Sequence, residues 1–135
     1  MNKSMSIIAA VLMLAAAPFV FAGGSQEEEE VPQEFSEPDR VIELTADGMV
    51  FFLEGEDQPN PVLTVQEGET VEIRLTVNRG THDWVVDEFG ASTEIIGAGE
   101  TSVTVFTADQ SGEFEYYCSF ANHRALGMYG TLVVQ

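Results

Sequence analysis

From residue 40 onward large apolar side chains recur at every second position, and that period constrains the fold more than any other feature of the chain. Val71, Ile73, Leu75 and Val77 alternate with Glu72, Arg74 and Thr76. An extended segment so patterned has one apolar and one polar face, as a strand lying on a core does. His82, Trp84 and Val86 alternate likewise with Asp83, Val85 and Asp87, and Phe114, Tyr116 and Cys118 with Glu113, Glu115 and Tyr117. Leu132 and Val134 close the chain in the same phase. Turn-forming groups separate these runs at Asp47-Gly48, Gln58-Pro59-Asn60-Pro61, Glu67-Gly68-Glu69, Asn78-Arg79-Gly80, Gly97-Ala98-Gly99 and Ser111-Gly112. No stretch of 40–135 carries a helical stripe. Seven to eight short strands predict an all-β fold, a Greek-key β-sandwich. In this phase His82 and Cys118 face inward at the ends of their runs, while Asp83 falls on the outward phase. Both inward residues can then point into one end of the sandwich.

The N-terminus reads as an address. Lys3 gives a short positive start, Ile7 to Ala17 are unbroken apolar or small residues, Pro18 breaks helix, and Val20-Phe21-Ala22 ends on a small residue. This predicts a secretory signal peptide over residues 1–22, cleaved before Gly23, and export to a bacterial periplasm. The apolar run is shorter than the ~20 residues of a spanning helix, so membrane attachment is expected only if the segment stays uncleaved. A lipid anchor there is not expected, because no cysteine follows the signal. Residues 23–39, GGSQEEEEVPQEFSEPD, hold seven carboxylates and few large apolar groups. They predict an acidic disordered linker, leaving 40–135 as a single domain.

The chain carries 23 Asp and Glu against 5 Lys and Arg, a net charge of −18. Nucleic acid and anionic lipid surfaces are polyanions and poor partners for it; basic proteins are natural ones. His82, His123 and Cys118 are the whole supply of histidine and cysteine. That excludes an internal disulfide, a four-cysteine zinc site, an iron–sulfur cluster and any centre needing three histidines.

The informative stretch is Tyr117-Cys118-Ser119-Phe120-Ala121-Asn122-His123-Arg124-Ala125-Leu126-Gly127-Met128. Cysteine, histidine and methionine follow at intervals of five, so a folded-back loop brings three side chains to one point. His82, arriving from another strand, completes a set. A thiolate and two imidazoles with a weak axial thioether are the ligands of a blue-copper electron-transfer site. Singly, each residue has an ordinary role: Cys118 as a small core hydrophobe, His82 as a satisfied core histidine, Met128 as a gap filler, His123 as a loop residue. Every histidine and cysteine falls where a four-ligand site needs it, and the joint pattern points to metal.

With these residues in place the sequence resembles the cupredoxins, the plastocyanin, azurin and rusticyanin group. The motifs are Thr81-His82-Asp83-Trp84-Val85-Val86-Asp87, Gly112-Glu113-Phe114-Glu115-Tyr116-Tyr117-Cys118, and the Cys–His–Met loop running into Gly130-Thr131-Leu132-Val133-Val134. The Cys-x4-His-x4-Met spacing is most similar to rusticyanin-like members. The resemblance implies a cupredoxin-like sandwich with one type 1 copper per chain. His82, Cys118 and His123 would be its strong ligands and Met128 its axial one, and copper would alternate between Cu(I) and Cu(II). One position departs: many relatives have Asn or Ser where this chain has Asp83. A carboxylate close to the thiolate would favour Cu(II) and lower the potential, whereas one facing water would do little.

Between Cys118 and Gln135 there is no carboxylate and one cation, Arg124. A neutral patch of Phe120, Ala121, Ala125, Leu126 and Tyr129 around His123 is expected to dock a redox protein, a basic one such as a cytochrome c. The expected function is a monomeric, exported carrier of single electrons rather than an enzyme. The alternative is a periplasmic copper-binding or delivery protein, or an accessory domain of a metal-uptake system.

Overall fold

A computed structural model describes residues 36–135. The signal segment expected over 1–22 and residues 23–35 of the expected linker lie outside the described residues. Asp39 already belongs to the folded part, since its carboxylate accepts the Thr70 N–H at 2.8 Å.

The strands in chain order are β1 (Arg40–Asp47), β2 (Val50–Leu53), β3 (Leu63–Val65), β4 (Thr70–Arg79), β5 (Thr81–His82), β6 (Val85–Val86), β7 (Ala91–Ser92), β8 (Ile96–Gly97), β9 (Thr101–Thr107), β10 (Gly112–Tyr117) and β11 (Tyr129–Val134). One sheet has the order β2-β1-β4-β9, a second β3-β11-β10-β6-β7, and β5 and β8 form a separate two-stranded ladder. The expected all-β sandwich is observed, with eleven strands in place of seven to eight. The excess lies in two-residue strands between Thr81 and Gly97, where the chain changes partners every few residues. The only helical element described is one 3-10 turn, Asp87–Phe89.

The period-two reading holds best in β4. Val71, Ile73, Leu75 and Val77 are all buried, and their neighbours are half-buried or exposed. β1 runs parallel to β4 with Ile42 beside Ile73 and Leu44 beside Leu75, so two apolar rows lie side by side on one face. Tyr116, Leu132 and Val134 supply the facing layer from β10 and β11. Full burial of each such aliphatic side chain is worth about 1.5–3 kcal/mol. Trp84 is wholly buried between Tyr116 and Phe106, with ring centroids 5.8 and 6.1 Å away.

The alternation fails at one informative place. Asp83, expected to face outward, is buried. β5 ends at His82 and pairs with β8, while β6 begins at Val85 and pairs with β7 and β10. Asp83 sits in the break between two ladders, so strand phase does not govern its direction.

An ion pair fastens the start of the fold. Arg40, opening β1, donates from Nε and a terminal nitrogen to both Glu69 oxygens at 2.8 and 2.9 Å. Glu69 also accepts the Gln66 N–H at 2.9 Å. The Arg40 guanidinium first, and the Gln66 amide second, hold the Glu69 carboxyl down at about 2. A depressed carboxyl stabilises the fold above its ordinary value near 4.5 and loses that contribution as pH falls toward about 2. The pair is partly exposed, so the effect is small. Arg40→Gln is expected to lose less stability than the wild type between pH 4.5 and 2 in denaturant titrations, and equal losses would show the pair contributes nothing.

Candidate metal centre

His82 is carried on β5, Cys118 follows the last residue of β10, and His123 lies in the loop before β11. One ligand atom from each meets the others within 4.8 Å. The Cys118 sulfur lies 3.7 Å from Nδ1 of His82 and 3.5 Å from Nδ1 of His123. With bonds of about 2.0 Å to nitrogen and about 2.3 Å to sulfur, these separations correspond to N–metal–S angles of roughly 110–120°. Both separations therefore suit one ion held between the thiolate and each imidazole.

The loop between the two strands is wound on itself. Cys118 N–H donates to the Met128 carbonyl at 3.1 Å, and Met128 N–H to the His123 carbonyl at 3.0 Å. Leu126 N–H reaches the Asn122 and His123 carbonyls, both at 3.1 Å. Met128 is fully buried at this end of the core. The four residues singled out in the sequence thus share one end of the sandwich: three meet through their ligand atoms, and the Met128 backbone is bonded to two of those three residues.

Hydrogen bonding sets the His82 tautomer. Its Nε2 is 3.0 Å from the Arg79 carbonyl, which can only accept, so Nε2 carries the proton and Nδ1 keeps its lone pair toward the sulfur. Burial lowers the His82 imidazole below its ordinary range, which favours the neutral, ligating form. Burial pushes the Cys118 thiol up to about 11, opposed by the Asp83 and Phe120 N–H groups that bond the sulfur. Without metal the thiol therefore holds its proton, and metal binding releases it.

Asp83 does not face water. Its Oδ1 accepts the Ser119 N–H at 2.6 Å, and its Oδ2 pairs with the Ser119 hydroxyl. The carboxylate clamps the residue after Cys118, tying the His82 segment to the Cys118 loop. The sequence identified neither Ser119 as its partner nor Gly80 as a support. Gly80 has φ 99°, and a Cβ there would lie 2.5 Å from His82 Nε2. Only glycine fits both the backbone and the imidazole.

At the surface His123 is half-buried, packed against the half-buried Phe120 at 5.3 Å between ring centroids. Leu126 and Tyr129 are 64% and 48% exposed. Arg124 spends its charge locally: it pairs with Glu115 and stacks 3.8 Å over the Tyr117 ring. Disturbing the His82 support should weaken metal binding, as loss of groups behind a metal ligand typically costs about 10- to 100-fold in affinity. Gly80→Ala is expected to fall in that range in a chelator competition, and unchanged affinity would show that the His82 ring does not depend on Gly80.

The chain is similar to known copper-binding proteins. The sequence profile of copper-binding proteins of the plastocyanin/azurin family matches residues 50–135. A copper-containing nitrite reductase of Alcaligenes xylosoxydans xylosoxydans is 36% identical over 89 residues, covering 56% of this chain. The match spans only 27% of that enzyme's length. Among solved structures, auracyanin B superposes with a TM-score of 0.61 at 21% identity, covering 74% of this chain and 91% of that one. Rusticyanin from Thiobacillus ferrooxidans gives 0.57 at 22% identity, covering 70% and 76%. With a cupredoxin fold, a cysteine and two histidines in one buried cluster, and a matching profile over most of its length, the chain belongs to the plastocyanin/azurin family of copper-binding proteins.

Proposed function

We propose that this protein is an exported blue-copper electron carrier, with His82, Cys118 and His123 as the strong ligands and Met128 as the axial one. The observation that carries the reading is the closed cluster of one thiol and two imidazoles, whose ligand atoms lie within 4.8 Å of one another. Bound copper supplies a one-electron couple between Cu(I) and Cu(II). The chain's own residues keep that centre rigid and largely dry. His82 is oriented by the Arg79 carbonyl, Cys118 by two backbone N–H groups, and the loop from 118 to 128 by its internal hydrogen bonds. A delivery protein needs an opening through which its ion leaves. Here His82, Cys118 and Met128 are buried, which favours retention.

An enzyme of this family would need further groups. Both histidines and the only cysteine in the sequence already belong to one cluster, so a second histidine-bound centre has no ligands. The half-buried His123 is the ligand nearest water, and we assign electron exchange to its face. The exposed Ala121, Ala125 and Leu126 surround it in the loop, which contains no carboxylate. Weak docking over a small neutral area suits rapid turnover, and the acidic remainder of the molecule steers a basic partner such as a cytochrome c. The N-terminal segment directs export to the periplasm, as its signal-like layout supports.

Copper added to the protein is expected to give an intense thiolate-to-copper band and a narrow copper hyperfine splitting. Cys118→Ser should abolish that band; a pale adduct in the wild type would turn the reading toward copper binding without electron transfer. Met128→Leu should keep the copper and raise the reduction potential, because a weak donor to Cu(II) is lost. For steering, electron exchange with a basic cytochrome c should slow as salt rises from low to physiological strength, and a flat profile would overturn the assigned partner class.

A further inference from the structure

The turn Gln58-Pro59-Asn60-Pro61 does more than join β2 to β3. Asn60 holds φ 47°, a left-handed conformation that asparagine tolerates better than most residues. It clasps Phe51 by two bonds. Its N–H donates to the Phe51 carbonyl at 2.7 Å, and its Oδ1 accepts the Phe51 N–H at 3.0 Å. Phe51 is fully buried and meets the Tyr116 ring edge-on at 5.6 Å, so the clasp is anchored in the core. The remaining polar atom of the side chain, Nδ2, donates to the Gly127 carbonyl at 3.3 Å, 67 positions along the chain. Gly127 immediately precedes Met128.

We propose that Asn60 is a positioning residue for Met128, fixing the peptide ahead of the thioether relative to the buried Phe51 of β2. This rests on the reading of Met128 as the axial ligand. The same turn grips the far side of Met128 as well. Tyr116 donates its hydroxyl to the Pro61 carbonyl at 2.6 Å. Its ring lies so close to Gly130 that a Cβ there would come within 2.3 Å of it. Met128 is therefore bracketed by two contacts that both lead back to residues 60 and 61. An axial thioether is a long, weak ligand, and a soft contact of that kind follows its backbone where a short strong bond would resist displacement. Asparagine is the side chain the geometry requires. Aspartate would keep the acceptor for Phe51 and lose the donor to Gly127, while glycine would keep the backbone and lose both bonds.

The test is a double-mutant cycle in the full chain, Asn60→Gly alone and combined with Met128→Leu. Two quantities are read: the reduction potential of the copper-loaded protein, and amide hydrogen exchange in the metal-free protein. Asn60→Gly is expected to raise the potential, as Met128→Leu does, and to add nothing in the Met128→Leu background. In the metal-free protein, exchange should quicken about tenfold at the Cys118 and Met128 amides, the ratio a lost interaction of about 1.4 kcal/mol produces. Amides in β4 should be unchanged. A drop in stability with faster exchange throughout β4 and an unmoved potential would make Asn60 only a fold residue and overturn the proposal. An equal shift in both backgrounds would overturn it too, since Asn60 would then act other than through Met128. If Met128→Leu itself leaves the potential unmoved, the axial reading fails, a separate result that takes this proposal with it. Should Asn60→Gly not fold, Asn60→Asp retains the Phe51 clasp and replaces the donor to Gly127 with an acceptor. The same two amides then decide the question in the metal-free chain.

Discussion

The ladder between β10 and β11 is closed at the loop end by one hydrogen bond, from the Cys118 N–H to the Met128 carbonyl, and the metal centre hangs from that closure. Below it the two strands pair from Tyr117 beside Tyr129 to Gly112 beside Val134. Above it the chain makes a closed excursion that begins at one sulfur residue, turns at His123 and returns at the other. A loop whose ends are held by a sheet has little freedom left, and its internal bonds remove more. The fourth participant comes from β5, outside this hairpin. The Asp83–Ser119 clamp, together with the pairing of β6 on β10, joins that segment to the loop, so the cluster draws its ligands from two separate stretches of chain.

Those two stretches were not equally legible in the sequence. The hairpin was, because alternation in 112–118 and 129–134 fixes which side chains face the core, and the spacing of Cys118, His123 and Met128 implies a turn between them. The sandwich was legible for the same reason. The parallel pairing of β1 with β4 was not, since period two says which face is buried and nothing about which neighbour lies alongside. Asp83 departs from its strand phase because the ladder changes partners at that point. A run of alternating residues cannot reveal such a break when both halves keep their apolar positions inward, as His82, Trp84 and Val86 do. Asn60 gave only a turn signal, because its hydrogen bonds reach 9 and 67 positions along the chain and leave no local trace.

Charge is distributed by the same topology. Every Asp and Glu of the sequence precedes Cys118, so the loop that carries His123 is free of them. Its single cation is neutralised by Glu115 and covered against Tyr117. The Tyr117 hydroxyl in turn donates to Asp87 at 2.7 Å, extending this network. The result is a neutral loop on a strongly acidic molecule. In the proposed docking, a long-range field that attracts a cationic partner and a short-range surface that asks little desolvation of it are separate requirements, and different stretches of chain would meet them.

Burial at the centre also orders events. A bare thiolate enclosed in the core would be costly, and the Cys118 thiol accordingly holds its proton up to about 11. The metal-free cluster is thus a neutral thiol beside an imidazole that burial keeps neutral, groups a core can accommodate. A cation that replaces the thiol proton brings the charge the sulfur then carries into balance, while the two N–H groups already directed at the sulfur need not reorganise. The arrangement is prepared before the ion arrives, by backbone amides, a carbonyl at Arg79 and a glycine beneath the ring. A centre preorganised in this way has little left to move when its charge changes by one, which is the physical requirement for passing single electrons quickly.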